Sequence, residues 1–116
     1  MKGIYFINDR ISLNGLSKEE SLKLQEQTML PYIQKSKIKM IKLNPYQLHN
    51  YYTIPHALLY DLKKHRNILD CFILYSPEVM DDFINSYPSK WLILKSFFNE
   101  IVTMKERKDH PFKFIV

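Results

Sequence analysis

The stretch Leu69-Asp70-Cys71-Phe72-Ile73-Leu74-Tyr75 decides how this chain is read. It is an apolar run of the kind found in a central parallel strand, covered on both faces. Working outward, Lys2-Gly3-Ile4-Tyr5-Phe6-Ile7-Asn8 is a second such run, rich in β-formers, and Lys37 to Leu43 reads as another strand. Between them Asn14-Gly15 signals a turn. Ser17-Lys18-Glu19-Glu20 then has the form of a helix start, with Ser17 as N-cap and Glu20 at the capping-box position. Leu22, Met29 and Ile33 share one face of that helix, and Pro31 predicts a kink or an early end.

Asn44 to Pro55 is a polar and aromatic surface loop. A helix of about three turns follows it, with Ala57, Leu58 and Leu62 facing inward. Beyond the central strand, Pro77 and Pro88 bracket a short helical piece from Glu78 to Tyr87. Trp91, Leu94, Phe98, Ile101 and Val102 recur at intervals of three and four, which predicts a long helix from Lys90 to Arg107. Phe112 to Val116 reads as a last strand. Strands alternating with helices imply one three-layer α/β domain over residues 1–116, with a mostly parallel sheet of four to five strands.

The 116 residues suffice for one core, and 46% hydrophobic with 25% charged residues is a folded composition. A single cysteine, Cys71, forms no internal disulfide, and no apolar run is long enough for a bilayer. The N-terminus is too short and polar for a signal peptide, so a cytoplasmic protein without a membrane partner is expected. A net charge of +5 favours contact with polyanions, although the lysines are spread along the chain and broken by Glu19-Glu20 and Asp81-Asp82.

In order and spacing these segments resemble the catalytic domain of the serine recombinases, the resolvase and invertase family. Ile4-Tyr5-Phe6-Ile7-Asn8-Asp9 matches the family's first strand. Ser21-Leu22-Lys23-Leu24-Gln25, with Tyr32 seven residues on, matches its Ser-x-x-x-Gln helix. Asp70 to Tyr75 matches its Asp-x-x-x-x-Tyr strand, and Phe112 to Val116 its fourth strand. A flavodoxin-like arrangement is the competing fold. The resemblance implies a serine nucleophile and a set of arginines that hold the scissile phosphate. Here the nucleophile position is Asp9, and the arginine positions are Ile7, Val79 and Asp82. The stretch Glu78-Val79-Met80-Asp81-Asp82 places three carboxylates where the family has cations, and shifting the alignment by a residue or two restores none. No catalytic residue and no recombinase activity are expected. The family's long dimerisation helix and DNA-binding domain also have no counterpart in the sequence, which ends at Val116.

Other chemistry finds little support. His49, His56, His65 and His110 lack paired metal-ligand spacing, and Cys71 lies inside a strand. Asp9, Glu78, Asp81 and Asp82 suit Mg²⁺ by ligand type, but solvated carboxylates and helix caps account for them more simply, so no metal is assigned. Two glycines, Gly3 and Gly15, leave no phosphate-cradling loop, no serine sits in a Gly-x-Ser-x-Gly context, and no cofactor is expected. Two binding surfaces remain. Tyr87, Leu92 and Phe97 fall off the inward stripe and suggest a protein partner, such as an intact recombinase or a host factor, or self-association. Tyr46, Tyr51 and Tyr52 beside Lys35, Lys37, Lys39 and Lys42 suggest nucleic acid as the alternative. The leading expectation is a non-catalytic regulator of phage or mobile-element type that acts through protein binding.

Overall fold

The computed structural model describes residues 1–105. Strands β1 (Lys2–Tyr5), β2 (Lys39–Met40), β3 (Leu69–Leu74) and β4 (Phe98–Thr103) form one sheet in the order β2-β1-β3-β4, with every pairing parallel. Parallel neighbours need crossover connections. These are α1 (Lys18–Lys35), α2 (Pro55–His65), and the pair α3 (Asp81–Ser86) and α4 (Pro88–Lys95) between β3 and β4.

Side chains alternate across the strands and build two cores. On one face Tyr5, Ile7, Cys71 and Ile73 meet Met29 and Ile33 of α1. On the other Ile4, Phe6, Phe72 and Leu74 meet Leu58 and Leu62 of α2 and Leu94 of α4. The result is the three-layer α/β arrangement that the alternating segments imply. Burying a side chain such as Phe72 or Leu58 contributes about 1.5–3 kcal/mol, which is why the apolar runs govern the fold. The two central strands approach closely at Gly3, where a Cβ would stand 2.7 Å from Cys71 Sγ and 2.9 Å from the Cys71 carbonyl oxygen.

Helix α1 begins as the sequence indicates. The Ser17 hydroxyl accepts the Glu20 N–H and the Glu20 carboxylate accepts the Ser17 N–H, a reciprocal capping box. Pro31 does not end the helix, which continues to Lys35. Pro31 and Gln27, the residue whose carbonyl loses its partner, are both exposed, so water replaces the missing bond. In α2 the inward residues are Leu58, Leu59 and Leu62, while Ala57 is exposed.

The largest correction concerns the expected helix from Lys90 to Arg107. Helix α4 stops at Lys95, and Phe98–Thr103 is the fourth strand, paired with β3 from Leu69↔Phe98 to Leu74↔Thr103. The run Ile101-Val102-Thr103 is β-branched and disfavours a helix. The expected strand Phe112–Val116 lies outside the described residues. Strand β2 is also shorter than Lys37 to Leu43, because the chain leaves the sheet after Ile41 donates to the Gly3 carbonyl. It returns at Tyr52, which bridges Phe6 and exchanges backbone bonds with Tyr5 and Ile7. Residues 42–51 are therefore an excursion from a single strand line.

Candidate functional site

In a parallel sheet of this order the connections after β1 and β3 leave toward opposite faces, and the crevice between them is where α/β folds place ligands. A cleft of about 260 Å³ opens there, lined among others by Asn8, Arg10, His56, Val79, Asp82 and Tyr87. Behind its Asn8 lies a hydrogen-bonded polar network. Gln25, fully buried on α1, accepts the Asn8 N–H at 3.0 Å and donates to the Asn8 carbonyl at 2.9 Å and the Ser21 carbonyl at 3.2 Å. The Asn8 side chain donates to the Val79 carbonyl at 2.9 Å, and its oxygen accepts the Arg10 N–H at 2.9 Å. Ser21, also fully buried, accepts the Leu13 N–H. The Ser21 and Gln25 pair thus ties the loop after β1 to α1, and Asn8 ties it to the segment after β3.

The chemistry at this edge is acidic. Asp9 is exposed and forms an ion pair with Arg10 at 2.8 Å. Glu78 and Asp82 are exposed, and Asp81 is half-buried. Ile7 and Val79, two of the positions where the resemblance would put arginines, are 0% and 2% exposed and belong to the two cores. His56 packs edge-on against Phe83 and Tyr87, with centroids 5.2 and 4.6 Å away. Among the described residues no three His, Cys, Asp or Glu side chains are grouped to hold a metal ion. Cys71 is buried, and desolvation pushes its thiol above the ordinary value, so it is a packing residue with little thiolate character.

The aromatic and basic surface separates into unlike parts. Lys35, Lys37, Lys39 and Lys42 are all exposed, as is Tyr46. Tyr52 is a core residue and not a surface one: it is 7% exposed, and its hydroxyl donates to Asp61 at 2.7 Å. Burial and that carboxylate raise the Tyr52 pKa. Tyr51 is half-buried, tilted against Tyr5 at 5.6 Å and stacked on His49 at 4.8 Å. The aromatic residue that does accompany Tyr46 is Tyr60, across a cleft on the outer face of α2. It was legible as the position four before Lys64 on a helix whose leucines at 58, 59 and 62 face inward.

Of the apolar surface residues, Tyr87 and Leu92 are exposed. Phe97 is not an outward residue, since it is half-buried against the core of Phe72 and Leu94. The sequence stripe assumed one helix through Phe97, and the turn after Lys95 redirects it. Ile93 takes its place at the surface, 41% exposed.

The chain matches no family model, no curated protein and no solved structure. No helix among the described residues is long and apolar enough to cross a membrane.

Proposed function

We propose that this is a non-catalytic domain on a serine-recombinase-like scaffold that works by holding a protein partner. The observation that carries the reading is helix α4. It buries Leu94 but leaves Leu92 62% and Ile93 41% exposed, beside Tyr87 at 44%. Several large apolar side chains left exposed on one short segment are a usual mark of an interaction site. Loss of catalysis is supported by the carboxyl edge, where buried Ile7 and Val79 and exposed Asp9 and Asp82 stand at the aligned catalytic positions. Carboxylates there would repel a phosphodiester.

An intact recombinase is one concrete partner and another host factor is a second. The test is recovery of proteins from the native host with a tagged chain, comparing wild type with the Leu92→Asp, Ile93→Asp double variant. A defined protein should be retained by wild type and lost from a variant whose melting temperature is unchanged. Equal recovery by both would overturn the assignment to α4, and no specific protein with wild type would overturn the reading.

A further inference from the structure

Because every strand is parallel, helix ends and strand starts collect at the amino edge of the sheet. The residues found there include Lys2, Lys37, Lys39, Lys64, Arg66 and Lys95. Basic residues at helix C-termini complement the helix dipole, but Lys2 and Lys39 begin strands and have no helix to complement. Lys37 and Arg66 moreover have φ of 55° and 63°, the left-handed region that suits glycine. Cations are thus kept at two positions where the backbone favours another residue.

A path leads to this edge from two exposed rings. Tyr46, 88% exposed, and Tyr60, 63% exposed, border a cleft of about 430 Å³ that reaches Lys64 and His65. A second cleft of about 440 Å³ shares His65 and ends at Lys2. Lys64 Nζ lies 5.6 Å from the centre of the Tyr60 ring, so charge and ring face are adjacent. Asp61, which lines the first cleft, accepts from the Tyr52 hydroxyl, and Asp70 accepts from the Lys2 N–H, so the cleft between the rings suits a base and the phosphates fall toward the cations.

We propose that this path binds single-stranded nucleic acid, with unstacked bases against Tyr46 and Tyr60 and phosphates against Lys64, Arg66 and Lys2. A duplex keeps its bases stacked on one another and offers the rings nothing. The proposed contacts use no residue of α4, so their failure leaves the protein-binding reading untouched.

The test is fluorescence anisotropy of the full chain with labelled DNA and RNA strands of about 12 nucleotides, and with the matching duplex, across a range of salt. A single strand should bind about tenfold tighter than the duplex, and Tyr46→Ala with Tyr60→Ala should weaken it about tenfold without changing the salt slope. Lys64→Gln with Arg66→Gln should flatten the log–log salt slope by about 1.4, the value for two phosphate contacts on a single strand. Binding of either sugar supports the path, and a preference names its natural ligand. Absence of binding at low salt, equal affinity for duplex with no effect of the tyrosine changes, or equal competition by polyglutamate would overturn it.

Discussion

At the carboxyl edge of the sheet side chains complete the backbone and left-handed backbone falls on Asn14, a residue that tolerates it, whereas at the amino edge it falls on cations whose side chains face water. Gln25 satisfies both main-chain groups of Asn8, and Ser17 and Glu20 cap α1 reciprocally. At the opposite edge Lys37 and Arg66 hold left-handed backbone, and their side chains are exposed. Charge leans the same way, with Asp9, Glu78 and Asp82 at one edge and Lys2, Lys39 and Lys64 at the other, while Arg10 pairs with Asp9 at the first and Asp70 accepts from Lys2 at the second. At the edge where parallel sheets ordinarily hold a ligand, Asn8 and Gln25 are engaged in hydrogen bonds that tie loops to α1. At the other edge two cations occupy left-handed backbone, which costs some stability.

Substitutions at the two edges should therefore act with opposite sign. The largest effect is expected from Gln25→Leu, which strands the Asn8 N–H and carbonyl. It should destabilise by about 3 kcal/mol in a urea titration. A loss below about 1 kcal/mol would show that water replaces the amide and that the network is not structural.

Tyr52→Phe should cost about 1.5 kcal/mol at neutral pH through the lost bond to Asp61. It should also change the alkaline limb. Burial and the nearby Glu26 charge push Tyr5 up to about 12, and Tyr52 is raised as well. The folded chain then keeps protons that unfolded tyrosines release near pH 10. Stability from both tyrosines is complete below about pH 10 and is lost as pH climbs toward their folded values. Urea midpoints measured against pH should fall less steeply for the variant.

Ser17→Ala should remove about 1 kcal/mol by breaking the cap. The bond from the Ser17 N–H holds the Glu20 carboxyl below its ordinary value. That contribution is present above the ordinary carboxyl pKa and disappears as pH falls; the variant keeps the backbone N–H and loses only the smaller help of the hydroxyl, so its acid dependence should stay close to that of the wild type. At the amino edge Arg66→Gly should do the reverse and stabilise by up to about 1 kcal/mol, through relief of the left-handed strain. Destabilisation there would mean that the Arg66 side chain holds the helix end.

The interior strands were legible because both are buried on two faces, so Ile4 to Ile7 and Cys71 to Leu74 carry unbroken apolar signal. The capping box at Ser17 was legible because its chemistry is local. Strand β4 was hidden by position. At the edge of the sheet among the described residues, it shows water Asn99 and Glu100, and its remaining apolar residues continue the helical spacing begun by Trp91 and Leu94. The β-branched run Ile101-Val102-Thr103 was the signal against a helix. At the candidate sites, exposure of Leu92 and Tyr46 followed from pattern, but the burial of Tyr52 did not. Its place in the sheet depends on a return of the chain after a ten-residue excursion, 42–51, which no local feature encodes.

The most direct measurement compares partner recovery by two double variants, Asp9→Ala with Glu78→Ala and Leu92→Asp with Ile93→Asp, each verified by its melting curve. The first should retain the partner and the second should lose it. Loss with the carboxyl-edge variant and retention with the α4 variant would contradict a binding role for α4 and return function to the crevice between β1 and β3.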